Sequence, residues 1–174
     1  MIKAVLFDLE GTLALMSLND AQVVHAVLNE KGIDISLEEV ENALLTVIRE
    51  EGSTLEKKCG RIPRLEYHTS WNVCILKALK IEEKDRSISM EISNRWIDIC
   101  GLSTCPDAGF VLTRLKNKVK IGILSGVYEE EIQRILEIVK LEEELFDVIV
   151  GADTIRKTKP DPEVFFYALR KLGV

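Results

Sequence analysis

The 174-residue chain has four cysteines (Cys59, Cys74, Cys100, Cys105), none of them in a C-x-x-C pair, and only two histidines, His25 and His68, far apart. It therefore lacks the ligand spacing of a zinc site and the pairing of a disulfide framework. Reduced core thiols in a cytoplasm are the expected state. Cys100 and Cys105 could oxidise to one another, but nothing in their spacing demands it. No apolar run approaches the length of a membrane span, and no signal peptide stands ahead of MIKAVLFD. An excess of positive charge is also missing. The net charge of −6 argues against nucleic acid as a partner.

What is present is globular: 47% hydrophobic and 30% charged residues, enough for one domain or one domain with an insertion. KAVLF, residues 3 to 7, is apolar without alternation and is expected as a buried parallel strand. From about Ser17 to Cys100 the spacing is helical and predicts four helices. One covers residues 20 to 31 and the next opens on the Ser36/Glu39 capping box. The other two span about 65 to 80 and 84 to 100. Between the second and third, GSTLEKKCGRIPR is expected as a loop, and its basic cluster Lys57, Lys58, Arg61 and Arg64 as a solvated one. Trp71, Cys74 and Ile75 are expected to pack against Ile92, Trp96 and Ile99. Alternation then resumes: a helix from Pro106 carrying Phe110, Val111 and Leu115, then strand VKIGIL (119–124) and a helix over 128–140. Strand FDVIV (146–150) and a closing helix over 162–173 follow. This order predicts a Rossmann-like doubly wound parallel sheet, with residues 1–14 and 103–174 as core and residues 15–102 as an inserted all-helical unit.

Asp8 and Glu10 stand where the first strand meets a glycine turn, in FDLEGTL. Two carboxylates so close repel each other and are costly to desolvate. Either the stretch is an ordinary polar turn, or a cation and an electrophile bind there. Asp8, Ser125 with Gly126, and Lys159 within KPDP all fall at or after the carboxyl ends of predicted strands, where open α/β sheets bind ligands.

These motifs, D-x-E-G-T at 8–12, Ser125-Gly126 and K-P-D-P at 159–162, together with Pro106-Asp107-Ala108 and the ending ALRKLGV, resemble the haloacid dehalogenase superfamily. The resemblance is to its phosphatase-like branch with a helical cap, and it runs from Met1 to Val174. It implies a hydrolase of a small phosphate ester, working through an aspartyl-phosphate with Mg2+ as cofactor. Asp8 would be the nucleophile and a metal ligand. Glu10 would supply a backbone carbonyl to the metal and its side chain for proton transfer. Ser125 and Gly126 would bind the phosphoryl group, and Lys159 would neutralise charge. Gly11 would permit the turn, Thr12 would hydrogen-bond its backbone, and Asp161 reads as a turn former or a helix N-cap before Pro162 rather than a ligand.

Two departures mark this chain. The family's usual second acid is Asp, and the extra methylene of Glu10 moves the carboxylate by on the order of 1 Å, a shift that can cost ~10²-fold in rate. The family's fourth motif, with further acidic metal ligands, is expected beyond Val174. KAVLF should then present an unpaired apolar edge, which predicts a homodimer or strand-swapped assembly. The rival readings are a 2-haloacid dehalogenase, whose branch usually lacks an acid at the position of Glu10, and an inactive module acting through assembly.

Overall fold

A computed structural model describes residues 1–174. The chain divides into two compact units, Met1–Ser17 with Leu102–Val174, and Leu18–Gly101. The sequence had placed the crossings after residues 14 and 102. They lie later and earlier because each crossing segment carries a short strand that belongs to the first unit. These are β2 (Ala14–Met16) and β3 (Leu102–Thr104), paired antiparallel with Leu15 opposite Ser103.

The first unit is built on β1 (Ala4–Phe7), β4 (Lys120–Leu124) and β5 (Val148–Val150), all parallel in the order β1-β4-β5. Register pairs Leu6 with Gly122 and Gly122 with Val148, so these three share one face. Phe7, Ile123 and Ile149 share the other. The second face packs into a core with Leu112 of α6 (Ala108–Leu115) and with Ile132, Ile135, Leu136 and Val139 of α7 (Glu129–Val139). On the first face, Leu124 and Val150 meet Val164 and Ala168 of α8 (Pro162–Leu172), with Leu6 and Val148 at the margin. The sheet is thus covered on both sides, as consecutive apolar strands require. The helix expected from Pro106 begins at Ala108, and its inward residues are Ala108 and Leu112, one turn apart on one face, whereas Phe110 is 63% exposed on another. As expected for the first strand, β1 has β4 on one side and no strand on the other. All four of its residues are half-buried, against the fully buried Ile121–Leu124 of β4.

The second unit is helical: α1 (Asp20–Glu30), α2 (Leu37–Glu50), α3 (Gly52–Glu56), α4 (Arg64–Ala78) and α5 (Ser87–Ile99). The predicted four helices become five, since the stretch read as a loop contains α3, whose single turn and a half is too short to show a period. Asn19 with Gln22 and Ser36 with Glu39 form reciprocal capping boxes that start α1 and α2. Ile75 and Ile92 meet in the core with Trp71, Cys74 and Ile99 against it, while Trp96 reaches α1, its Nε1–H donating to Asp20 Oδ1 at 2.8 Å. Buried polar groups between α4 and α5 are satisfied: Asn72 Nδ2 donates to Ser93 Oγ at 3.0 Å, and Ser93 Oγ donates to the Ser89 carbonyl at 2.7 Å. Burial, with Glu51 beside it, pushes the Cys74 thiol up. None of the four cysteines forms a disulfide. No helix is long and apolar enough to cross a membrane.

Asp147, just before β5, holds the far end of the sheet. Its amide donates to the Ile121 carbonyl, its Oδ2 accepts the Ile121 N–H at 2.9 Å, and Lys120 Nζ lies 2.9 Å from Oδ1. The Ile121 N–H, and then Lys120, hold the carboxyl below the usual carboxylate range. A depressed folded value contributes stability that is present above the ordinary Asp value of about 3.9 and is lost as pH falls through the lower folded value. Asp147→Asn should therefore lower unfolding stability near neutral pH, by at most about 1 kcal/mol because the carboxylate is partly solvated. The gap from wild type should close on acidification in urea unfolding; a gap constant with pH would mean the charge is not what Asp147 contributes.

Candidate active site

The site begins with a turn that the core holds in place. Leu9 is fully buried and Leu13 is 2% exposed, both in the cluster beneath the sheet, whereas Asp8 and Glu10 on either side of Leu9 stay half-buried. The chain then closes on itself. The Leu9 carbonyl accepts the amides of Thr12, Leu13 and Ala14 at 3.2, 2.8 and 2.9 Å, and Gly11 N–H reaches the Ala14 carbonyl at 2.8 Å. Gly11 sits at φ +74°, a left-handed backbone that costs a residue with a Cβ roughly 1–2 kcal/mol. Thr12 serves this turn through its amide; its hydroxyl makes no protein hydrogen bond, contrary to the role read from sequence.

Lys159 arrives from the other end of the same unit. Its Nζ lies 2.5 Å from Asp8 Oδ1, with the two side chains 32% and 45% exposed. The loop carrying it is fixed at its far side by Asp161, which caps α8 by accepting Glu163 N–H at 2.9 Å and receives Lys157 Nζ at 3.0 Å. The Glu163 N–H and then Lys157 hold the Asp161 carboxyl below the usual range. Asp161 is thus a cap, as its place before Pro162 indicated. The Lys159–Pro160 peptide is cis.

Ser125 follows β4 directly. Its amide extends the β4–β5 ladder to the Val150 carbonyl at 3.0 Å, its side chain is nearly buried, and its Oγ accepts Val127 N–H at 3.4 Å. The register pairs Phe7 with Ile123, so Asp8 stands level with Leu124, one residue short of Ser125 on the neighbouring strand. Gly126 beside it is exposed, with open space where a Cβ would be. Asp8 and Lys159 are in contact, and Ser125-Gly126 ends the strand beside Asp8. The basic residues Lys57, Lys58, Arg61 and Arg64 lie in the helical unit, between α3 and the first turn of α4.

No three His, Cys, Asp or Glu side chains come together as a metal cage. The donors that are present fit a hard divalent cation that keeps much of its water. Asp8 Oδ1 is engaged by Lys159 while Oδ2 has no protein partner, and Glu10 follows two residues on. Chemically, a half-buried carboxylate beside a fixed ammonium and a nearly buried hydroxyl is suited to attack on an electrophile that carries negative charge.

The sequence reading passed over the loop after β5. Asp153 Oδ1 accepts Glu129 N–H at 2.9 Å, Thr154 Oγ1 accepts Gly151 N–H at 2.8 Å, and Ala152 N–H reaches the Val127 carbonyl at 2.8 Å. Its only sequence signal is an Asp and a Thr after a strand, which by itself reads as any polar loop.

The profile of the haloacid dehalogenase-like hydrolase family matches residues 2–174. The chain is 27% identical to a glyceraldehyde 3-phosphate phosphatase of Methanothermobacter thermautotrophicus, over 99% of this chain and 73% of that protein. It is 39% identical to the (S)-2-haloacid dehalogenase 4A of Burkholderia cepacia over 74 residues, which are 42% of this chain and 32% of the dehalogenase. In fold it is similar to a Thermotoga maritima protein assigned as a β-phosphoglucomutase. The TM-score is 0.71 at 22% identity, covering 99% of this chain and 72% of the other.

The turn stands on its two leucines. Leu9→Ala should cost about 2–5 kcal/mol in urea unfolding, and the amides of residues 11–14 should exchange faster. A loss well under 1 kcal/mol would mean the turn does not depend on that anchor.

Proposed function

The chain belongs to the haloacid dehalogenase-like hydrolase family, and from that premise we propose that it hydrolyses the phosphate monoester of a small metabolite, with Asp8 as nucleophile. The 2.5 Å contact of Lys159 Nζ with Asp8 Oδ1 at the carboxyl end of β1 supports the aspartyl nucleophile, and the observation that favours phosphate over carbon is the acid Glu10 two residues on. An Asp8 oxygen attacks phosphorus, the ester P–O bond breaks, and its electron pair leaves on the alcohol oxygen. That oxygen takes a proton from the Glu10 carboxyl. Water then attacks the aspartyl-phosphate and gives its proton to Glu10, and phosphate departs with Asp8 restored. Lys159 holds Asp8 in place and offsets negative charge as it builds up. Ser125 Oγ already accepts Val127 N–H, which leaves its own hydrogen to donate to a phosphoryl oxygen, beside Gly126. Magnesium, held by the Asp8 carboxylate and the Glu10 carbonyl, would supply charge against the repulsion between nucleophile and phosphate. The helical unit would act as the cap.

A second reading draws on the 74-residue match to the (S)-2-haloacid dehalogenase: Asp8 attacks carbon and displaces halide without metal. Hydrolysis of an aryl phosphate, with and without magnesium, and chloride release from 2-chloropropionate separate the two. We expect magnesium-dependent phosphate release, with Asp8→Asn lowering it by at least about 10³-fold. Turnover retained in that variant would remove the aspartyl nucleophile. A folded wild type inert on both substrates would leave the assembly reading.

We also propose that the open edge of β1 pairs with a second copy. Val5, Leu6 and Phe7 are apolar on both faces and half-exposed, beside unpaired backbone groups, which is the usual template for strand pairing. Light scattering coupled to size exclusion should give a dimer at tens of micromolar protein. A monomer whose residues 3–7 exchange their amides slowly would contradict it.

A further inference from the structure

We infer that Asp153 is a positioning residue: it clamps the loop after β5 onto the first turn of α7 and so ties the Ser125-Gly126 turn to the Lys159 loop as one piece. The inference rests on the phosphatase reading above for its catalytic consequence.

The two segments touch at backbone level. Gly151 lies so close to the start of α7 that a Cβ there would meet Glu129 N at 2.7 Å and the Val127 carbonyl at 2.9 Å. Onto that close approach the loop adds its own bonds. Ala152 N–H goes to the Val127 carbonyl at 2.8 Å, and Thr154 Oγ1 bridges from Gly151 N–H to Glu129 Oε2, the latter at 3.3 Å. Asp153 Oδ1 takes Glu129 N–H at 2.9 Å, so this position at the helix N-terminus is filled by the loop's own carboxylate. The neighbouring Tyr128 N–H is engaged within the helix itself, by Glu131 Oε2 at 3.1 Å.

Val127 joins the two segments. Its carbonyl is held by Ala152 and its amide donates to Ser125 Oγ, so a shift of the loop against α7 is felt at the Ser125 hydroxyl through a single residue. On the other side of the clamp, Ile155 packs into the cluster of Leu124, Val150 and Val164, and the chain then runs to Lys159 on Asp8. Two groups meant for the same phosphoryl group thus come from different strands and share one fixed joint. Where a reacting geometry depends on displacements below 1 Å, such a joint bears on rate more than on fold.

The test compares wild type with Asp153→Ala and Asp153→Asn, at a temperature where circular dichroism shows all three folded. Asn keeps an oxygen acceptor for Glu129 N–H and Ala does not. We expect Asp153→Ala to lower kcat for the aryl phosphate by about tenfold with KM little changed, and Asp153→Asn to stay within about threefold of wild type. Hydrogen exchange of Asp153→Ala should speed up both in residues 125–131 and in residues 155–161. Wild-type kinetics in Asp153→Ala, or an equal loss in Asp153→Asn, would overturn the positioning role. An inert wild type would sink the phosphatase reading instead. The exchange measurement then still decides the clamp, and unchanged exchange in either segment overturns it.

Discussion

One contact closes the α/β unit: Lys159 Nζ on Asp8 Oδ1, joining residues 151 positions apart in sequence. A carboxylate at the end of an apolar strand repels its acidic neighbour at position 10 and loses hydration when the loops pack around it. A cation fixed in place offsets both costs, and a lysine on a short loop between a strand and a capped helix can be fixed. Asp161 does the fixing by capping α8 and receiving Lys157. Turn, ion pair and cap therefore form a chain in which each member limits the freedom of the next.

The sheet order makes the contact possible. In a parallel sheet every strand delivers its carboxyl end to the same side, so the residues after β1, β4 and β5 meet whatever lies between them in sequence. Here the 84 residues Leu18–Gly101 lie between β1 and β4. The β2–β3 ribbon pairs the two stretches of the α/β unit that border this insertion, Ala14–Met16 and Leu102–Thr104. Loop-closure entropy grows only slowly with length, which is why so long an insertion is compatible with an intact three-stranded pairing.

How far the sequence showed this depended on the strength of local pattern. Helices with reciprocal caps, such as those opened by Asn19 and Ser36, declare their starts chemically. The buried run IGIL of β4 declares itself by unbroken apolarity. The ribbon strands ALM and LST have three residues each, too few for a period of two to register, and their pairing is a long-range event. The short α3 hid for the same reason. At the site, Asp8, Ser125 and Lys159 were visible because their spacing matched strand ends and a known family pattern. Asp153 was not, because its role lies in the distance to Glu129 N–H, and no one-dimensional pattern encodes that distance. Thr12 shows the converse error. A hydroxyl that could bond the turn was assigned that task, while Leu9 and Leu13, to which the sequence reading gave no role, do the holding.

The pair Asp8–Lys159 does not by itself choose between phosphorus and carbon. An aspartate held by a lysine can attack either, and in both cases a covalent intermediate forms that water must open, an acyl phosphate on phosphorus and an ester on carbon. The chemistries part at the leaving group. Halide departs as a weakly basic anion and needs no proton, so an acid beside the nucleophile would add only repulsion. An alkoxide leaving phosphorus is strongly basic, and a carboxyl within reach lowers that barrier through general acid catalysis. Glu10 adds a second acid two residues from Asp8, in the same turn. A turn that needed only polarity would be served as well by a neutral residue. The acid at position 10 therefore carries more weight for the phosphate reading than either residue of the ion pair, and its longer side chain is where this chain's proton transfer would differ from that of an aspartate-bearing relative.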